Sequence, residues 1–430
     1  MSLKPAHLLF VEDSPDASYG GSKRLLARLL PRLDPDLWTA HALFYTPGAW
    51  VDDLRARGIA VSVARPDPAP PAATGTPGSP PSGVHVTPTG EVLRSAPRRL
   101  VRDARSLVHL TIRDRLRARR LRSHLPDRVD LIHFNGPMTD RWEWAHLASG
   151  LGAPLVLHEH GVWREPPAAW RAVARRAAAV VCLTAERVSQ VRQAACGAVR
   201  TELVPNGLDR SDFLPRRSRE EVRAEFGVPE GAPLLVTPGH FRRWKGQSLA
   251  IEAAQILSAH GTPFVWLLFG SIAEAGYATE LRRAVTQAGL DGRVRLLDHR
   301  EDAADLVAAA DLAVHTSLYP EPFGLVVLEA LSVGTPVVAP KEGGPADMVR
   351  DGCEGTLYTP RDARSLADAV GRLLAAAPTR RAILSEQARL RARGEFSFDR
   401  QVERLCALWE RCLGPAPPRG TRERGRQPAT

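Results

Sequence analysis

Two carboxylates in one short stretch carry the strongest chemical signal in the chain. The segment 315–347 reads HTSLYPEPFGLVVLEALSVGTPVVAPKEGGPAD, and Glu321 and Glu329 have seven residues between them. Pro322 and Gly324 break regular structure, so Glu321 is expected on a loop. The apolar run from Leu325 to Leu331 is expected to be a helix, with Glu329 about one turn inside it. A helix that starts at Gly324 or Leu325 has free N–H groups and a partial positive charge at its mouth, which suits an anionic ligand. Gly334, Thr335 and Pro336 end that helix, the run to Ala339 is a short buried strand, and Gly343-Gly344-Pro345 makes a second glycine loop. A second candidate is His158-Glu159-His160 at the end of an apolar run. Alternation puts His158 and His160 on one side, with Glu159 away from them. A His-x-His pair could bind metal, but no nearby acidic residue or cysteine completes a tetrahedral set.

These residues need a frame. The chain has 430 residues, too many for one ordinary core, so two domains are expected. Hydrophobic residues make up 44% and charged residues 25%, values of a soluble globular protein. No apolar run approaches the ~20 residues that span a bilayer. His7–Val11 is a first strand ending at Glu12 and Asp13, not a secretory signal. Five scattered cysteines suit a reducing compartment, and the protein is expected in the cytoplasm. Strands then alternate with helices: strand 7–11, the turn Gly20-Gly21, helix 23–30, strand 41–45, helix 51–57 and strand 58–63. After them come strands 129–134, 154–157, 177–183, 234–237, 264–269, 294–297 and 312–315. Strand, glycine turn, helix is the opening of a doubly wound α/β domain. Residues 66–90, dense in Pro, Ala, Gly, Ser and Thr, are expected to be a mobile insertion, and 415–430 a disordered tail.

The net charge is +10, and between Arg94 and Arg122 there are eleven arginines and two acidic residues. In that segment Leu100, Ala104, Leu107, Val108 and Thr111 fall at helical spacing. A membrane-surface helix attracted to anionic lipid, a cleft-facing acceptor element and a plain solvated face all fit. Nucleic acid is not expected, because no recognisable nucleic-acid module surrounds the segment.

The string Glu321-Pro-Phe-Gly, the apolar run to Glu329-Ala, then Gly334-Thr-Pro-Val-Val-Ala and Gly343-Gly344, resembles the signature of the retaining nucleotide-sugar glycosyltransferases of carbohydrate-active family four. The resemblance implies the GT-B fold: two Rossmann-like doubly wound domains facing a cleft. It places an acceptor domain at 1–208, a nucleotide-sugar domain at 209–396 after Pro205-Asn206-Gly207-Leu208-Asp209, and a crossover helix at 397–414. It implies that Glu321 lies against the donor sugar and Glu329 holds the ribose hydroxyls. Phe323, Gly324 and Leu325 would bind sugar and diphosphate through backbone N–H groups, and His160 before Gly161 would reach the donor sugar. Gly20 and Gly21 match the family's Gly-Gly loop at the cleft. Gly270 matches the glycine that ends a strand near the nucleotide, and Asp298-His299-Arg300 falls where backbone meets the base. Lys245 matches the family's phosphate-binding lysine, but His240 stands in the slot of its arginine. Arg242 or Arg243 could fill in from the same loop, since a departing diphosphate needs more than one fixed cation. The family often has a glutamate where this chain has Asp347.

The expected reaction is hexosyl transfer from a nucleoside-diphosphate sugar to an unidentified acceptor, with retention at the anomeric carbon. The resemblance requires no metal, and no cofactor, the nucleotide-sugar being a substrate. A nucleotide-sugar-binding protein without transferase activity, a nucleotide-sugar epimerase of the same two-domain plan, and a basic binder of membrane or nucleic acid remain as other classes.

Overall fold

The computed structural model describes residues 4–13, 21–64, 96–136, 141–161, 166–197 and 199–414. The expectations for 66–90, 415–430 and Gly20 lie outside these residues.

The chain forms two all-parallel sheets. The first contains β1 (Ala6–Glu12), β2 (Trp38–Phe44), β3 (Ala60–Val63), β4 (Leu131–Asn135), β5 (Leu155–Glu159), β6 (Ala179–Cys182) and β7 (Thr201–Leu203), in the order β3-β2-β1-β4-β5-β6-β7. The second contains β8 (Leu234–Pro238), β9 (Val265–Phe269), β10 (Val294–Leu297), β11 (Leu312–Val314), β12 (Val337–Pro340) and β13 (Gly355–Tyr358), in the order β10-β9-β8-β11-β12-β13. Parallel strands need crossovers, and here helices supply them and cover both faces. That explains why β4, β5, β6 and β9 are buried at every position and why β6 and β9 read as continuous apolar runs, while β4 and β5 end in the polar residues of the site. In the first sheet, Leu25, Leu26 and Leu29 of helix Gly21–Leu29 pack on one face with Leu8 and Phe10. Trp144, Leu147 and Trp170 pack on the other with Leu9 and Phe134.

Both sheets reverse strand order between a first and a fourth strand, β1/β4 and β8/β11. Ligands of open parallel sheets bind at such switch points, outside the carboxyl ends of the strands. Glu12 and Asn135 end the first pair, while the loops after Pro238 and Val314 leave the second.

Two elements tie the halves together. Helix Phe398–Leu413 returns to the first sheet and buries Phe398, Leu405, Leu408 and Trp409 against Leu8, Phe10 and Trp38. At its start, Gln401 accepts from Gly207 N at 2.8 Å and donates to Asn206 Oδ1 at 3.2 Å, which pins the linker. Across the cleft, Asp347 accepts from Ala185 N, the first residue of helix Ala185–Ala194, at 2.8 Å. The arginine-rich segment forms helices Ala96–Val108 and Asp114–Leu121 joined by a π turn at His109–Arg113. No helix among the described residues is long and apolar enough to cross a membrane.

Candidate active site

The second domain builds its side of the site from two loops. The loop after β8 runs from Gly239 to a short 3-10 turn at Arg243–Lys245 and turns through Gly246 into helix Gln247–Ala259. Gly246 has φ +68°, and a Cβ there would lie 2.0 Å from the Thr316 carbonyl oxygen, so only glycine fits. That contact presses the loop against the loop after β11. Thr316 Oγ1 closes it by donating to the Lys245 carbonyl at 2.8 Å. The result is an ion pair between Lys245 Nζ and Glu321 Oε1. His315 Nε2 lies 2.7 Å from Glu321 Oε2, and Ser317 Oγ donates to the same oxygen at 3.3 Å. Burial alone would raise the Glu321 carboxyl, but Lys245 and His315 outweigh it and hold the group well below the ordinary carboxylate range.

Glu321 sits on a loop, as its prolines and glycine require, and Glu329 lies in the helix Leu325–Val333. Gly324 caps this helix with φ +93°. Its first intrahelical bond runs from Val327 N to Gly324 O at 2.9 Å, so the amides before Val327 form the mouth. Gly344 N donates to the Glu321 carbonyl at 2.8 Å, which locks the two glycine loops together. Glu329 meets the opposite fate from Glu321. Burial pushes its carboxyl up to about 7, while Arg24 and Arg28 of the first domain and Lys245 pull the other way more weakly.

The first domain contributes a hydrogen-bonded chain. Glu12 accepts from Asn135 Nδ2 at 2.6 Å and from Ser22 Oγ at 3.1 Å. Asn135 Nδ2 also donates to the Ser22 carbonyl, so Asn135 Oδ1 is the acceptor left for His160 Nε2 at 3.0 Å. This assigns the proton of neutral His160 to Nε2 and leaves Nδ1 a bare acceptor. Burial lowers His160 to about 4, so the ring is neutral at ordinary pH. His158 stacks on it with centroids 4.1 Å apart. Behind them Trp409 Nε1 donates to His133 Nδ1 at 3.1 Å, and His133 Nε2 then donates to His158 Nδ1 at 3.1 Å. Each ring therefore gives one nitrogen to a protein neighbour, while His158 Nε2 is buried without a hydrogen-bond partner and His160 Nδ1 is left as an acceptor. Among the described residues no three His, Cys, Asp or Glu side chains gather as a metal-holding group.

Other expected positions fall as follows. Gly21 opens the helix Gly21–Leu29 beside Ser22. Phe323 is buried, and Leu325 is the first residue of the signature helix. Gly270 directly follows β9, where a Cβ would lie 2.2 Å from the Gly239 carbonyl oxygen. Arg243 turns onto helix Tyr277–Gln287, with its guanidinium 2.5 Å from Glu280. Arg300 is held by Asp302 at 2.7 Å and Glu225 at 2.9 Å. Arg242 precedes the 3-10 turn and is half-buried. Glu12, Asn135, His315, Arg24 and Arg28 join the site without having been expected there from the sequence. For Glu12, Asn135 and His315 a signal existed, since each stands at or just after the carboxyl end of a switch-point strand.

Residues 218–391 match the family described as Glycosyl transferases group 1, and residues 49–212 match Glycosyltransferase Family 4. A D-inositol 3-phosphate glycosyltransferase from Geodermatophilus obscurus is 33% identical over 309 residues, 66% of this chain and 67% of that one. The enzyme of the same name from Mycobacterium tuberculosis (strain F11) is 33% identical over 220 residues, 50% of this chain and 44% of that one. Among solved structures, a glycosyltransferase from Rickettsia africae superposes with TM-score 0.76 at 16% identity, covering 96% of this chain and all of that one (100%). HepE from Anabaena in complex with UDP superposes with TM-score 0.70 at 23% identity, covering 94% and 99% of the two chains. At such identities these structures speak for the fold, and the family follows from the sequence matches. The chain belongs to the group 1 glycosyltransferases of family four, GT-B enzymes that transfer a glycosyl group from a nucleotide sugar.

Proposed function

We propose that this enzyme transfers a hexosyl group from a nucleoside-diphosphate sugar to an acceptor hydroxyl with retention at the anomeric carbon. The observation that carries the reading is the cluster of Lys245, Glu321 and His315 at the β8/β11 switch point, beside the mouth of helix Leu325–Val333. The diphosphate lies at that mouth, where the amides of Gly324 and Leu325 and the ammonium of Lys245 meet its charge. Lys245 has three N–H donors, so it can keep Glu321 and still reach a phosphate oxygen. Glu329 accepts from the ribose hydroxyls, and His160 offers Nδ1 to a sugar hydroxyl. HepE has been solved with UDP-glucose, and this supports a uridine diphosphate sugar as the first donor to try.

In the reaction the bond between the anomeric carbon and the diphosphate oxygen breaks. The acceptor oxygen bonds the same face, and its proton passes to the departing phosphate oxygen. A carboxylate held by Lys245 and His315 is a weak nucleophile, which favours this route over a covalent glycosyl–Glu321 intermediate. Glu321 instead faces the positive charge that develops at the anomeric carbon.

A thermal-shift screen against uridine, guanosine, adenosine and thymidine diphosphate sugars tests the proposal. One donor at a hundred times its Kd should stabilise the protein by about 2.7 kcal/mol, and Glu329→Ala should abolish the shift. Release of nucleoside diphosphate from that donor should follow, and the transferred sugar should keep the donor's anomeric proton coupling. No shift with any donor sinks the reading. A shift without release leaves a binding protein, and an inverted anomer rejects the same-face route.

A further inference from the structure

The first of the arginine-rich helices is amphipathic the wrong way round. A surface helix normally buries its apolar stripe. Here the inward face of helix Ala96–Val108 is polar. Asp103 accepts from Ala168 N at 3.3 Å and pairs with Arg171 at 2.9 Å, while Ser106 Oγ accepts from Ala169 N at 3.3 Å. Helix Asp114–Leu121 turns Ala118 and Leu121 into the core, and on the same inner face Asp114 is fully buried and paired with Arg113 and Arg117. Five apolar residues nevertheless point outward: Leu100 is 71% exposed, Val101 68%, Val108 54%, Ile112 65% and Leu116 55%. Their spacing, with Leu107, follows one side of the rod. Arg105, Arg115, Arg119 and Arg120 are exposed alongside them. Both acidic residues of the segment are neutralised on the inner face, so the charge presented outward is positive.

We infer that this face docks the acceptor domain on an anionic lipid bilayer. Apolar side chains on the outside gain by entering the headgroup boundary, and flanking arginines gain from anionic headgroups. A second copy of this chain fits worse, because a two-fold contact sets arginines against arginines. Nucleic acid offers nothing to the exposed Leu, Val and Ile. The position also matters. Asp103 and Ser106 bind the start of helix Ala168–Ala174, which follows β5 and His160 in the chain. A docked domain would meet a lipid-anchored acceptor at the membrane surface itself. The surface stands whether or not the cleft transfers a sugar.

Co-sedimentation of the full chain with phosphatidylcholine vesicles, with and without phosphatidylglycerol, tests this. The wild type should bind only the phosphatidylglycerol vesicles and lose them as salt rises. Leu107→Ser with Ile112→Ser and Leu116→Ser should cut binding at least tenfold. Arg115→Glu with Arg119→Glu should cut it more than twentyfold, at about fivefold per arginine lost. Melting temperature and donor-induced shifts should be unchanged in both variants, since the altered side chains lie outside the core. Absence of vesicle binding by the wild type at low salt overturns the inference. Binding that neither variant weakens also overturns it, by assigning attraction to the rest of the +10 surface. A dimer that the serine variant breaks, without vesicle binding by the wild type, assigns the face to a second copy.

Discussion

Glu321 and Glu329 are the same residue type eight positions apart, yet their surroundings drive them in opposite directions. Lys245 and His315 touch Glu321 and keep it charged. Glu329 has recessed surroundings and only more distant cations, so its carboxyl rises from 4.5 to about 7. The folded state therefore holds a proton on Glu329 that the unfolded chain releases at lower pH. This contribution to stability is full below about 4.5 and disappears as pH rises through about 7. Glu329→Gln removes the titration. The variant should match the wild type in stability near pH 4 and exceed it at pH 8 by up to about 3 kcal/mol, read as a higher Tm. It should also lose the donor-induced shift. Equal melting at both pH values would show that Glu329 ionises normally. A stabilising change at a binding residue is what a site that strains its own carboxylate predicts.

At the scale of elements, the site is a problem of loops pressed together. Gly246 sets the pressure, because its backbone lies against the Thr316 carbonyl and carries Lys245 with it. Gly246→Ala should destabilise the protein by about 1–3 kcal/mol from strain. It should also lower turnover on the order of a hundredfold, since Lys245 would shift from Glu321. Calorimetry together with nucleoside diphosphate release checks both, and unchanged turnover would remove Lys245 from the reaction. Most strands were legible, because strands buried on both faces are apolar over most of their length. β13 was not, since four residues between turns carry no usable pattern. Helix Pro378–Gly394 also escaped notice: only Leu384, Ala388 and Ala392 are buried, and two of these are alanines with little hydrophobic signal. The arginine-rich segment was legible as helical, but spacing alone left open which face looked outward.

At the scale of the whole molecule, the cleft is bridged by a carboxylate on a helix mouth. Asp347 of the second domain accepts from Ala185 N of the first. A charge at a helix N-terminus is worth about 0.3–1 kcal/mol. Asp347→Ala should therefore shift the balance toward an open cleft by up to about fivefold. Small-angle scattering of the unliganded protein should show a larger radius of gyration. An unchanged radius would place the control elsewhere, for instance in Gln401 at the linker or in the pair of Arg28 and Asp212 at 3.0 Å. The aspartate that departs from the family's glutamate thus has a definite place: it reaches the other domain.

The sequence by itself determined the two-domain α/β plan and the glycine loops, which are local matters of periodicity and backbone freedom, while the roles proposed for Glu321, Glu329, Lys245 and His160 rest on its resemblance to the family. Only the tertiary structure decided which cations face the site. Arg243 and Arg300 are held by acidic partners from other elements, whereas Lys245 meets Glu321, and Arg24 and Arg28 arrive from the opposite domain. Charge acts through space with a range of several ångströms. Its partners are set by which strands lie side by side and which loops meet at a switch point, and no spacing along the chain encodes that.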